Sequence, residues 1–364
     1  MSVGMVGVLA LVVLSGCGSA GTTSERSSAS ADTAYAAKVV PLLRLALPSS
    51  RAGCGGVRRL DGGAAEIPAT VSDQRGQVAV LVNVCIAGRG PYPFIVDTGA
   101  SGTAMDAGLV TRLKLAAVGP SERLVGPGCV TAGQAHRVTQ WSIAGLPLAP
   151  QTVTAVRIPA IGGSEQPVGV IGSDLWYRFG AMRVDFRRGD LVVLGHERGA
   201  PNRAVIMTRP VISRLPLSLI HGAGQFDAPM TVDASANGVL LRVPVAFGSH
   251  APRQFIPDTG AVVSVVDSGV ATVVGLAGRN QKTTQSTICS VIASPDVFTG
   301  TWSLTGGRRG SAAPASHALA PQLVATMDLA GLPGVAGLLG ADQMSRFASV
   351  VFDYAGGRIL FGAH

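Results

Sequence analysis

The chain has 364 residues, of which 47% are apolar and only 14% charged, and its formal net charge is +8. That apolar content supports sizeable cores and excludes a wholly disordered chain. The basic residues are dispersed, with only doublets such as Arg58-Arg59, Arg187-Arg188 and Arg308-Arg309; phosphate binding needs clustered charge and aromatic platforms, so no nucleic-acid partner is expected.

Val3 to Leu14 is an apolar run too short to span a bilayer comfortably. It ends in Leu14-Ser15-Gly16-Cys17, the small-residue pattern that precedes a lipid-modified cysteine, although no Lys or Arg precedes the run. The segment resembles a bacterial lipoprotein signal; the alternative is a buried hydrophobic stretch. The resemblance implies a signal peptide over 1–17 with palmitate-type lipidation at Cys17, and hence a chain anchored to the cell membrane and facing the extracytoplasmic side. Next comes the polar tract GSAGTTSERSSASADTA, which has little to bury. Residues 18–59 therefore read as a flexible tether and N-terminal segment.

With Cys17 assigned to lipid, Cys54, Cys85, Cys129 and Cys289 remain, an even number that allows two disulfides in an oxidising compartment with three pairings open. The six histidines are scattered singly and no Cys-x-x-Cys spacing occurs, so neither a metal nor another cofactor is expected.

The rest of the chain is written twice. Phe94-Ile95 and Asp97-Thr98-Gly99-Ala100 recur as Phe255-Ile256 and Asp258-Thr259-Gly260-Ala261, and Asp106, Gly108, Thr111, Leu115 and Trp141 recur as Asp267, Gly269, Thr272, Leu276 and Trp302, all at a spacing of 161. The block GVIGSDLWYRFGAMRVDF from Gly169 recurs as GLLGADQMSRFASVVFDY from Gly337 at a spacing of 168, so seven residues are inserted between the blocks, an insertion expected in a loop. A repeat of this length marks a duplicated module. It predicts an N-terminal lobe over 60–196, a linker over 197–204 and a C-terminal lobe over 205–364, each of ordinary domain size.

Short Val/Ile-rich stretches such as VAVLVNVCIAG, FIVDTG and DLVVLG, punctuated by Gly and Pro, predict a mainly β fold. Two helical turns are predicted per lobe. One opens at Asp106 or Asp267 as N-cap; the other follows Gly172 or Gly340, with Asp174 and Asp342 as its caps. Between Ala116 and Trp141, and between Ala277 and Trp302, a hairpin is expected, with Gly126-Pro127-Gly128 turning the first. Trp141 and Trp302 are expected as core anchors. Pro257 stands where the first copy has Val96, which predicts a differently built second loop, because proline lacks a backbone donor.

An apolar-apolar-Asp-Thr-Gly-Ala loop, a short helix, a flap-length segment and then apolar-apolar-Gly before a second helix resemble the retropepsin-like aspartic proteases, over nearly all of both lobes. The resemblance implies two fused retropepsin modules in the bilobal manner of pepsin, with closed-barrel-like lobes, the active site between them and no need for a homodimer. It implies a monomeric aspartic endopeptidase acting on surface or exported polypeptides. Asp97 and Asp258 would be the catalytic pair, Gly99 and Gly260 would bring backbone N–H groups to them, and Thr98 and Thr259 would interlock the loops. Ala100 and Ala261 lack a hydroxyl found at that place in pepsin-like enzymes, which implies a less acidic pair.

The chemistry explains why two copies are needed. Two carboxylates close enough to share one proton cannot both ionise, so one can accept a proton from water while the other donates to a carbonyl oxygen. The alternative is a non-catalytic envelope lipoprotein that holds a peptide in the same cleft.

Overall fold

The computed structural model describes residues 7–8, 13–14, 53–74, 76–158, 166–194, 205–207, 215, 223–235, 238–287, 291–308 and 314–362. Cys17, Cys289, the linker 197–204 and most of the expected tether lie outside these. The fold is mainly β, as the Val/Ile-rich punctuation predicts.

The two repeats build the same local frame. In the first, strand Gln77–Ile86 runs antiparallel to Arg89–Val96, with Leu81 opposite Ile95, and Gly169–Ile171 runs parallel on the other side, with Val170 opposite Ile95. In the second, Gly238–Phe247 is antiparallel to Arg253–Asp258 and Gly337–Gly340 is parallel to it, with Leu338 opposite Ile256. Each aspartate thus ends a strand paired on both edges. Such strands are covered on both faces, which is why Phe94-Ile95-Val96 and Phe255-Ile256 are continuous apolar runs and fully buried.

Helix α1 (Ala107–Leu113) opens at Asp106, whose carboxylate accepts from the N–H groups of Gly108 (2.9 Å) and Leu109 (3.2 Å). Helix α2 (Ser173–Phe179) follows the Gly169–Ile171 strand. Their counterparts are α3 (Ser268–Val273), capped by Asp267 in the same way, and α4 (Ala341–Met344). The caps expected at Asp174 and Asp342 are not there: the cap positions are Gly172 and Gly340, with no side-chain cap. Both carboxylates turn instead to side chains of neighbouring segments.

One sheet joins the repeats. Strand Met182–Asp185 pairs antiparallel with Ser349–Asp353, placing Met182 opposite Phe352 and Asp185 opposite Ser349. Asp190–Leu194 and Ala64–Gln74 extend this sheet on one side, Arg358–Gly362 and Ala223–Pro229 on the other. Six strands therefore run across the boundary, and the central ones are buried on both faces.

The two expected hairpins are present. Ala117–Gly126 pairs with Cys129–Val138, and Ala277–Ser286 pairs with Val291–Phe298. We call them the first and second flaps. Trp141 and Trp302 are buried anchors whose indole N–H groups donate to Ala149 O (2.9 Å) and Ala320 O (2.8 Å). The expected loop insertion is located differently. Trp141 pairs with Leu148 and Trp302 with Leu319, so the second hairpin is ten residues longer and the segment after it three shorter. Seven of the added residues lengthen the paired strands from Trp141–Ile143/Leu146–Leu148 to Trp302–Arg308/Pro314–Leu319, where backbone groups bond to one another.

A disulfide links Cys54 to Cys85, 31 residues apart. Cys129 is also disulfide-bonded, to a partner outside the described residues.

Candidate active site

Each aspartate loop is held by its own backbone. Asp97 Oδ1 accepts from Gly99 N (2.9 Å) and Ala100 N (2.7 Å), and Asp258 Oδ1 accepts from Gly260 N (2.9 Å) and Ala261 N (2.9 Å). The second loop is therefore built like the first, contrary to the expectation from Pro257. Proline's missing N–H costs nothing here, because position 257 contributes a carbonyl: Pro257 O accepts from Thr98 Oγ1 at 2.6 Å, as Val96 O accepts from Thr259 Oγ1 at 2.7 Å.

The threonines interlock the loops. Thr98 N donates to Thr259 Oγ1 (3.0 Å) and Thr259 N donates to Thr98 Oγ1 (3.1 Å). Every donor in this crossed pair is satisfied at full burial, where an orphaned one would cost about 1–3 kcal/mol. Glycine is required beside it for a steric reason. A methyl group at Gly99 would overlap the Asp258 carboxyl, and one at Gly260 the Asp97 carboxyl. Each carboxyl thus lies against the backbone of the opposite loop.

Both aspartates are fully buried, and Asp97 Oδ2 and Asp258 Oδ2 have no hydrogen-bond donor while both groups are ionised. A proton on one supplies a donor to the other. Burial pushes both carboxyls above the usual carboxylate range, Asp97 up to about 7 against the opposing pull of the Ala100 N–H. Asp258 is raised well above that range too, by its burial first and by the charge on Asp97 besides. The pair therefore holds a single shared proton over a range displaced toward neutrality.

Behind each loop stands a clamp that the sequence reading missed. Thr103 Oγ1 donates to Asp174 Oδ1 (2.8 Å) and accepts from Gly172 N (3.2 Å), and Gln151 Nε2 donates to Asp174 Oδ2. Ser264 Oγ donates to Asp342 Oδ1 (2.8 Å) and accepts from Gly340 N (2.9 Å), and Gln322 Nε2 donates to Asp342 Oδ2 (2.5 Å). The signal was present, since Thr103 and Ser264 sit 161 apart and Gln151 and Gln322 sit 171 apart. Gly172 and Gly340 recur because a methyl group at either would press into the loop backbone, at Gly102 or Val263. One feature is not mirrored: Ser173 Oγ donates to Thr98 O (2.8 Å) and lies 3.2 Å from Tyr354 Oη, whereas the position matching Ser173 is Ala341.

The first flap reaches over both loops. Leu124 packs in one cluster with Ile95, Ala100 and Val170, and its neighbour Val125 in another with Ile256, Ala261 and Leu338. At the flap's turn, Gly128 N donates to Asp328 O at 3.0 Å.

The fold and the paired loops define a mainly β chain with two buried, facing carboxyls. Residues 82–175 match the family model described as aspartyl protease, a stretch that contains the first aspartate loop, the first flap and the start of α2. No curated protein matches the chain. The matched stretch is similar to aspartyl proteases; the second aspartate loop lies beyond it and is tied to the first by the internal repeat.

Proposed function

We propose that the chain is an aspartic endopeptidase in which Asp97 and Asp258 act together on one water molecule. The observation that carries this reading is the burial of two facing carboxyls on interlocked loops, each with one oxygen committed to backbone N–H groups and one left over. In the working state one carboxyl is ionised and the other protonated. The ionised group takes a proton from a water as its oxygen attacks the scissile carbonyl carbon. The protonated group hydrogen-bonds the carbonyl oxygen as negative charge develops there. Collapse of the tetrahedral species breaks the C–N bond, and the proton taken from water goes to the departing amine.

The loop contacts support a fixed geometry. Thr98 and Thr259 set the distance between the loops, and the clamps at Asp174 and Asp342 hold each loop against its helix, so little reorganisation is needed during reaction. The arrangement supplies both aspartates from one chain, which supports a bilobal, monomeric enzyme with lobes over 60–196 and 205–364. The Leu14-Ser15-Gly16-Cys17 pattern supports export and lipid anchoring at Cys17, and hence surface or exported polypeptides as substrates.

The test is cleavage of a diverse peptide library read by mass spectrometry between pH 3 and 7, with the full chain and its Asp97→Asn and Asp258→Asn variants. Cuts that disappear in both variants are the expected result. No cuts, or cuts that survive either substitution, would move the reading to a peptide-binding protein.

A further inference from the structure

The joint between each aspartate loop and the helix behind it is symmetric in its backbone and one-sided in its hydroxyls. Ser173 N donates to Ala100 O and Ala341 N to Ala261 O, both at 2.8 Å. The first joint adds Ser173 Oγ, which donates to Thr98 O (2.8 Å) and lies 3.2 Å from Tyr354 Oη. At the repeat spacing of 168, Ser173 is answered by Ala341 and Tyr354 by Phe186. The mirrored pair therefore carries neither hydroxyl.

Proton counting sets the direction of these bonds. The single Ser173 hydroxyl proton is committed to Thr98 O, so the bond between the two hydroxyls is donated by Tyr354. Burial holds the Tyr354 phenol well above its ordinary pKa, and it stays a donor wherever carboxylates titrate. The series continues through the loop backbone. The Thr98 carbonyl belongs to the same peptide unit as the Gly99 N–H, which donates to Asp97 Oδ1 at 2.9 Å. A hydrogen bond accepted at the carbonyl end polarises that unit and strengthens the donor at its nitrogen end, and more so where the dielectric is low. Tyr354, Ser173, Thr98 and Asp97 are all fully buried.

We propose that Tyr354 and Ser173 are positioning residues whose hydrogen-bond relay favours negative charge on Asp97 over Asp258, so that Asp97 takes the proton from water and Asp258 holds the proton toward the carbonyl oxygen. The assignment of these two roles rests on the protease reading; the unequal titration of the carboxyls does not. Asp258 faces Asp97 across the pair, and Asp174 and Arg178, joined through Gln151, stand behind the relay. Removing either hydroxyl alters none of these charges, so a shift that follows belongs to the relay.

The test is an NMR titration of the chain labelled with carbon-13 at its aspartate carboxyls. Asp258→Asn leaves Asp97 as the one carboxyl of the pair, and Asp97→Asn leaves Asp258. Each is compared with and without Ser173→Ala or Tyr354→Phe. The tyrosine variant keeps the ring that packs edge-on against Tyr177 and carries the test should Ser173→Ala not fold. Each hydroxyl deletion should raise the Asp97 pKa by about 0.3 unit or more, roughly a twofold change in its ionisation constant, and leave Asp258 in place. The direction is upward because the ionised form loses support. In the chain with both aspartates, the acidic limb of the kcat/KM profile should move to higher pH by a similar step.

An unmoved Asp97 in both variants would overturn the relay. So would equal shifts at both carboxyls, the outcome of merely looser loops. A shift confined to Asp97 in a chain that cuts no library peptide would support the relay and count against the protease reading. Library cleavage by the parent chain, with no shift in either variant, would retain the protease and sink the relay.

Discussion

Thr98 and Thr259 exchange backbone donors for side-chain hydroxyls in both directions, at 3.0 and 3.1 Å, although 161 residues separate them. Each hydroxyl in turn donates a hydrogen bond to the carbonyl before the opposite aspartate, Pro257 or Val96. The spacing between Asp97 and Asp258 is thereby set by four bonds that connect the two repeats.

Thr98→Ala should remove one hydroxyl from this lock and leave the buried Thr259 N–H without an acceptor. The expected loss of stability is about 2–4 kcal/mol, combining an orphaned donor with the lost bonds. Thr98→Ser keeps the hydroxyl and should lose less than half as much. Denaturant unfolding of the two variants checks the ordering, and equal losses would argue against the hydroxyl as the cause.

Asp97→Asn and Asp258→Asn should each reduce peptide cleavage by on the order of 10²–10⁴, the usual contribution of a positioned acid or base. Because burial raises both carboxyls, the acidic limb of the pH–rate profile should lie above the ordinary carboxylate value of about 4. A rate maximum below about pH 3 would contradict this.

The same burial makes folding stability depend on pH, with a definite sign. Between about pH 4, where a free aspartate ionises, and about 7 for Asp97, the native chain holds a proton that the unfolded chain has released. Stability should therefore fall as pH rises through that window, by up to about 1.4 kcal/mol per pH unit for each proton held. Asp258→Asn should flatten the slope and raise stability at neutral pH. It should not abolish the slope, since burial also raises Asp174 and Asp342. Thermal unfolding of parent and variant at pH 4, 5.5 and 7 measures it.

Gly99→Ala should be more damaging than an alanine at an ordinary turn glycine. The added methyl would overlap the Asp258 carboxyl, which is itself fixed by Gly260 and Ala261. The expected outcome is loss of cleavage together with a stability cost of about 1–3 kcal/mol, typical of overpacking. Gly88→Ala, at a φ of 72° but with open space around it, is the control. It should cost about 1–2 kcal/mol through backbone strain and leave cleavage unchanged.

Breaking the Cys54–Cys85 bond by Cys54→Ser should cost about 2–4 kcal/mol, from the freedom regained by a loop of 31 residues in the unfolded chain. Denaturant unfolding under non-reducing conditions reads this directly. A parent chain whose midpoint already matches the variant's would show that the bond contributes nothing.

The mainly β fold, the helix caps at Asp106 and Asp267, the two flaps and the buried tryptophans were all legible in the sequence. Each depends on local pattern: β-branched runs, a capping aspartate, a Gly-Pro-Gly turn, a large aromatic at matching places. The repeat also singled out Asp97 and Asp258, because duplication preserves spacing along the chain. Contacts between segments distant in sequence were decided only by the tertiary structure. Asp174 and Asp342 sit where a helix-capping aspartate commonly would, yet packing brings Thr103 and Ser264 close enough to claim them, and the first helical N–H, on Ser173 or Ala341, goes instead to Ala100 O or Ala261 O of the aspartate loop. Pro257 looked like a break in symmetry because its missing N–H is visible in the sequence, whereas its carbonyl, the group the site uses, is common to every residue. The residues added to the strands after Trp302 could not be told from a loop, since whether they pair depends on the register of the strands around them.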